Sequence, residues 1–135
     1  MSKSALYVAN TSNQIVQLDG IIAPGTIIRR FGPNIELAGN AIQLSGAGYY
    51  TINASITAAP TTEGEVTVTI YKDGVALQGA TATETAAAAG DSVNLSISSI
   101  VREFCPCSGG LSNLTFVLTG STSTVTNIAI VVEKI

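Results

Sequence analysis

Cys105-Pro106-Cys107 is the one place in this 135-residue chain where two thiols stand close together. An offset of two puts both sulfurs on the same side of an extended strand. A disulfide within Cys-x-Cys closes a small, strained ring. A zinc site usually leaves at least two residues between neighbouring thiolates, and here there is one. The pair therefore reads as reduced thiols in a loop. The sharper alternative is that symmetry-related copies bring Cys105 and Cys107 together on a metal or in interchain disulfides. Other chemistry is harder to assemble. The chain has no His, so the commonest general base and the commonest metal ligand are both missing. Its Ser, Thr and Cys residues have no imidazole to activate them, which removes a triad. The acids are Asp19, Glu36, Glu63, Glu65, Asp73, Glu84, Asp91, Glu103 and Glu133. They are scattered through turns and strand ends, and Glu63 and Glu65 flank Gly64 as a solvated turn would. Nothing resembles the facing carboxylates of a glycosidase, and no single loop offers the oxygens of a calcium site. The expectation is no catalysis and no cofactor.

Two smaller features bear on contacts. Arg29-Arg30 is the only basic doublet. It suits a guard on an edge strand or an ion pair between subunits, and less readily a grip on an acidic partner. Tyr7, Tyr49, Tyr50 and Tyr71 suit the ends of a β core or an interface, with a ligand platform as the alternative.

Composition says what kind of surface these residues sit in. Charged residues make up 11% and hydrophobic residues 46%, whereas a soluble domain averages about 25% charged. A disordered chain shows the opposite balance. The net charge of −3 argues against a binder of phosphate backbones. No stretch approaches the roughly 20 apolar residues needed to span a membrane. The opening Met1-Ser2-Lys3-Ser4-Ala5-Leu6-Tyr7-Val8 lacks the apolar core of an export signal. Synthesis and residence in the cytoplasm, without nucleic-acid or membrane partners, are expected. The sequons at Asn10, Asn53, Asn94 and Asn113 reflect abundant Asn, Ser and Thr.

The elements that must position these residues are strands. Period-two alternation recurs and helical periodicity does not. From Tyr49 to Ala58, one face carries Tyr50, Ile52, Ala54, Ile56 and Ala58, and the other is mostly polar. Val66, Val68 and Ile70 alternate in a second strand, which Lys72-Asp73-Gly74-Val75 closes with a two-residue hairpin signal. Val75 to Thr85 should be the returning strand. Val93, Leu95 and Ile97 alternate next, and then Ile100 falls where a polar residue is due, which predicts a bulge near Ser98 and Ser99. Leu114, Phe116 and Leu118 follow a Ser108-Gly109-Gly110 turn, and a last strand runs from about Thr124 to Ile135. In the first 45 residues, Ala5 to Ala9, Gln14 to Leu18, Gly25 to Arg30 and Ile42 to Ser45 look like short strands. Eight to ten short strands punctuated by turns read as one sandwich or small barrel over residues 1–135.

Three segments carry a family resemblance. Gly46-Ala47-Gly48-Tyr49-Tyr50-Thr51-Ile52, the run Val66 to Val75 with its Lys-Asp-Gly turn, and Gly90-Asp91-Ser92-Val93-Asn94-Leu95 occur in the order and spacing of one jelly roll. It is the jelly roll shared by tumour necrosis factor and the globular heads of the complement first component. The chain looks most similar to bacterial versions and, being small and without a signal, to a bacteriophage virion component. The resemblance covers roughly residues 46–135. It implies an all-β fold of two antiparallel sheets in a jelly-roll sandwich, assembled as a tight trimer.

The last strand supports assembly on its own account. Ile128, Ile130 and Val132 point one way, and Ala129, Val131 and Ile135 the other. A strand apolar on both faces must be covered on both, by the core and by a neighbouring subunit. The expected trimer interface comprises Ile128, Ile130, Val131, Val132, Ile135 and Tyr50. Residues 1–14, with Leu6, Tyr7 and Val8, form a candidate capsid-facing anchor, or else simply the first strand of the barrel. The functional expectation is a homotrimeric capsid decoration or head-fibre protein located in the virion, with a major capsid protein as partner. The alternative is a ligand- or carbohydrate-recognition module on a spore or cell surface.

If Cys105 and Cys107 are a reduced loop pair, the double Ser variant melts within a few degrees of the wild type. A large drop in melting temperature, or stoichiometric zinc in the purified protein, would make the pair a structural clamp.

Overall fold

The computed structural model describes residues 3–103 and 112–135, so Cys105, Cys107 and the turn at residues 108–110 lie outside the described residues. The described residues form eleven strands. They are β1 (Ala5–Asn10), β2 (Gln14–Val16), β3 (Thr26–Phe31), β4 (Ile35–Ala38), β5 (Ala41–Leu44), β6 (Gly48–Pro60), β7 (Gly64–Lys72), β8 (Val75–Ala86), β9 (Val93–Glu103), β10 (Ser112–Thr119) and β11 (Ser123–Lys134). One sheet runs β3-β1-β11-β6-β9, with β2 also on β11. The other runs β4-β5-β10-β7-β8. All these strand pairs are antiparallel. The expected all-β sandwich of two antiparallel sheets is therefore what forms.

Alternation decides which side chains meet between the sheets. In β6 every second residue from Tyr50 to Ala58 is buried. Across the gap stand Val66, Val68 and Ile70 of β7 and Leu114, Phe116 and Leu118 of β10, all buried. Fully burying one such aliphatic side chain is worth about 1.5–3 kcal/mol, so a slip of one residue in any long strand would cost many such terms at once. The β7–β8 hairpin is set by its turn. Asp73 and Gly74 both have positive φ, 52° and 83°, and Lys72 lies opposite Val75. That is the geometry of a two-residue primed turn matched to strand twist.

The structure corrects four expectations. First, β4 forms between the Gly32-Pro33-Asn34 and Gly39-Asn40 turns, where no strand was read. Its four residues are too few to show a period, but Ile35 is buried. Second, β9 has no bulge at Ser98 or Ser99, because its register against β6 is continuous from Val93 to Glu103. Ile100 simply points outward, 62% exposed. The irregularities fall elsewhere, at Tyr7/Val8, Thr69/Tyr71 and Val125/Asn127. Third, Tyr50, Ile128, Ile130 and Val132 are fully buried in the protomer's own core. They face the opposite sheet and have no surface left for a second subunit. Fourth, Leu6 and Val8 are core residues of β1, which is hydrogen-bonded between β11 and β3. Deploying them as an anchor would strip about 1.5–3 kcal/mol of burial from each and unpair a central strand. Residues 5–10 are a strand of the barrel, and only Tyr7 of the three faces out.

Tyr50 shows why the Gly-x-Gly-Tyr-Tyr segment reads as it does. Its ring fills one end of the core. Its hydroxyl donates to the Gly46 carbonyl at 2.6 Å, and the Gly46 N–H donates back to it at 3.2 Å. A side chain at Gly46 would strike Asn34, which itself hydrogen-bonds to buried Ser4. The loop is thereby pinned between the sheets. Burial pushes the Tyr50 phenol above its ordinary pKa of 10.0, the Gly46 bond pulls it back in part, and the Glu103 carboxylate adds to the rise.

Tyr50→Phe should cost roughly 1–3 kcal/mol by stranding the Gly46 groups. The raised phenol adds a pH signature. Folded Tyr50 keeps its proton where an unfolded tyrosine loses it, so its contribution is complete below pH 10 and declines above. Denaturant melts should show the gap between wild type and Tyr50→Phe narrowing as pH rises past 10. A constant gap would contradict this reading.

Candidate subunit interface on the outer sheet

Residues opposite one another on paired strands share a face, so the register displays the outer side of the β3-β1-β11-β6-β9 sheet row by row. One row is Tyr7, Val131, Asn53 and Ser98. The next is Ala9, Ala129, Ser55 and Ser96. On the other side lies Ala5, Glu133, Thr51 and Ile100. Asn127, Thr57 and Asn94 extend the face in the opposite direction. The two rows through Val131 and Ala129 carry no charge from β1 to β9. Charge enters only at the margins. Arg29 lies beside Tyr7 on the edge strand, Glu133 is near the end of β11, and Arg102 is near the end of β9. The Arg102 guanidinium sits 5.8 Å from the Tyr49 ring centroid, a cation–π distance.

Asn53 and Ser98 lie side by side on β6 and β9, and the Ser98 hydroxyl donates to the Asn53 side-chain oxygen at 2.9 Å. Polar atoms that already satisfy one another lose less on desolvation. Two shallow depressions adjoin there. One is lined by Thr51, Asn53, Ser98 and Ile100, the other by Tyr7, Ser55, Ser96, Ala129 and Val131. Apolar groups rim the face at both edges, Phe31 on β3 and Ile100 on β9.

Of the residues expected at an interface, Val131 and Ile135 remain at the surface, and Tyr7 joins them as a face residue rather than an anchor. Tyr49 and Ala129 belong to the same surface, and so do Ile100 and Phe31, which were not assigned to it. Their signal was present in Ile100, the apolar residue out of phase in β9. Cys105 and Cys107 lie outside the described residues and add nothing to the site. Among the described residues, no group of three or more His, Cys, Asp and Glu stands close enough to hold a metal ion.

No protein-family model matches the sequence, and no curated protein resembles it at the sequence level. Solved structures do. Murine APRIL superposes with a TM-score of 0.75 over 98% of this chain and 99% of its own, at 8% identity. The globular domain of zebrafish complement 1qA protein gives 0.69 over 96% and 94%, at 9% identity. The fold is the jelly roll of tumour necrosis factor and the complement heads. PRD1 vertex protein P5 has the same jelly roll, with a TM-score of 0.57 over 98% of this chain and 96% of its own, at 14% identity. In this jelly roll, the charge-poor face just described is the outside of the sheet that holds the first and last strands, β1 and β11.

Val131 and Ile130 are neighbours on β11 with opposite fates, and they separate assembly from folding. Val131→Asp should leave the protomer folded, since β-propensity on a sheet surface spans only about 1 kcal/mol, and should disrupt self-association. Ile130→Asp should unfold the chain by placing an unpaired carboxylate in the core. Circular dichroism and size-exclusion light scattering read the two effects. If Val131→Asp assembles as the wild type does, this face is not the interface.

Proposed function

We propose that the protein is a structural, non-catalytic component of a virion, a homotrimeric capsid decoration or head-fibre protein whose partner is a major capsid protein. The two uncharged rows of the outer face, through Val131 with Asn53 and through Ala129 with Ser55, carry the reading. Adjacent rows without charge across four strands suit contact with further copies of the chain far better than contact with water. A heterologous contact that closes into a ring needs one edge of the face to meet a different part of the next copy, and the apolar rims at Phe31 and Ile100 offer two such edges. The jelly-roll resemblance supplies the number three. The likeness to a protein described as a vertex protein supports the virion setting. With a net charge of −3, attachment to a shell would rest on shape and apolar or hydrogen-bonded contact rather than on counterion release.

The second reading is a ligand-recognition module. It is favoured by the higher structural scores of APRIL and the complement head relative to the vertex protein. Light scattering after size exclusion should give the mass of three chains at micromolar concentration, and purified particles should contain the protein in stoichiometric amounts. A stable monomer would end the interface reading. A trimer that is missing from particles would turn the assignment toward soluble recognition.

A further inference from the structure

The jelly roll has two ends, and its charges are divided between them. At one end the β6–β7 turn carries Glu63, and Glu65 stands at the start of β7. Glu84 lies opposite Val66 near the end of β8. Asp91 follows Gly90, whose N–H donates to the Pro60 carbonyl. Asp19 donates its backbone N–H to Leu118. All five acids are exposed, and this half of the barrel has no basic side chain. The other half holds all six bases. Lys3 and Lys134 flank Ser4, Arg29 and Arg30 pair with Tyr7 and Leu6, Arg102 pairs with Tyr49, and the Lys72 ammonium reaches the Arg102 carbonyl. Four acids share that half, Glu36, Asp73, Glu103 and Glu133. Six bases against four acids leave it at +2, and five acids leave the opposite half at −5, together the −3 of the chain.

We propose that copies of this protein associate end to end, the acid-only end of one against the basic end of the next. The proposal goes beyond the assembly described above, because it uses the charged ends of the barrel and leaves the uncharged rows of its outer face free. Complementary charge identifies the occupant, since the two matching surfaces belong to the same chain. The acids do not gather into a chelating group, so they act through their summed field rather than by holding an ion. Strand length sets the range. The 13 residues of β6 at about 3.3 Å each span roughly 40 Å, whereas the Debye length is about 10 Å at 0.1 M salt and about 30 Å at 0.01 M. At moderate salt only the two ends in contact feel each other, and they attract. At very low salt the net negative charge of whole molecules opposes approach. At high salt the attraction is screened. A head-to-tail contact without rotation to close it extends into a linear stack, and a trimer would align three such contacts in parallel.

Sedimentation velocity of the full chain at several concentrations tests this. Near 0.1 M salt the sedimentation coefficient should rise with protein concentration. At about 1 M, where the Debye length is about 3 Å, it should return to that of the basal particle. The triple variant Glu63→Lys, Glu65→Lys, Glu84→Lys changes three exposed side chains and should lose the concentration dependence while keeping the basal particle and the circular dichroism of the wild type. A concentration dependence that strengthens at 1 M, is absent at every salt, or persists in the triple variant would overturn the proposal. The basal particle itself reports on the face-to-face trimer. A salt-sensitive stack of monomers would sustain end-to-end contact while ending the trimer, and a trimer without salt-sensitive growth would do the reverse.

Discussion

The pairing of β11 with β6 constrains everything else. Eleven positions of β11, from Ser123 to Lys134, lie opposite Pro60 to Tyr50 with one shift at Val125/Asn127. These two strands sit in the middle of their sheet, β11 also receives β1 and β2, and β6 receives β9. A two-residue side-chain period fixes the faces once the register is fixed. Ile128, Ile130 and Val132 must then enter the core with Ile52, Ala54 and Ile56. Val131 and Ala129 must emerge with Asn53 and Ser55. The inner and outer surfaces of the sheet are two consequences of one register. A change that protected the outer face by slipping the strand would empty the core.

That double duty explains what could and could not be read from the sequence. Strands with a polar outer face declared themselves. Tyr50 to Ala58 and Val66 to Ile70 alternate cleanly, and Asp73-Gly74 names its own turn. The last strand was legible as apolar on both faces, but periodicity does not say which face is core and which is contact. Assigning both faces to the interface put Tyr50, Ile128, Ile130 and Val132 on the wrong side. Ile100 failed for the same physical reason. In a one-layer reading, an apolar residue out of phase looks like a register slip. In a sheet whose outer face carries apolar residues of its own, it is in phase. Leu6 and Val8 were obscured differently. Six residues of β1 gain their order from β11 and β3, which lie far away in the chain, so nothing local separates an anchor from a strand.

Low charge content and the confinement of charge to the ends have a common origin in this architecture. The core side of a strand has no place for an ionised group, because an unpaired charge there costs several kcal/mol. Charges are pushed to turns and strand ends, which lie at the two ends of the barrel. Antiparallel strands then alternate which end each turn occupies. The β7–β8 turn with Asp73 falls at the basic end, and the β6–β7 turn with Glu63, followed by Glu65 at the start of β7, falls at the acidic one.

Confinement to the ends does not by itself sort acids from bases, and the sorting is what calls for a cause. A random placement would mix both signs at each end and cancel most of the field. Mixing would also favour folding slightly, since exposed like charges repel and exposed opposite charges gain up to about 1 kcal/mol. The salt bridge from Arg30 to Glu36, at 3.1 Å, lies at the basic end, and among the described residues the acidic end holds no base with which to form one. Stability of the isolated protomer therefore does not account for five acids standing together. A contact in which those acids meet a positive surface does, because the repulsion among them is relieved only there. The face of the sheet and the ends of the barrel thus ask for different partners. In the proposed assembly the face is excluded from water whatever the salt, and the ends are held only while the solvent leaves the field intact.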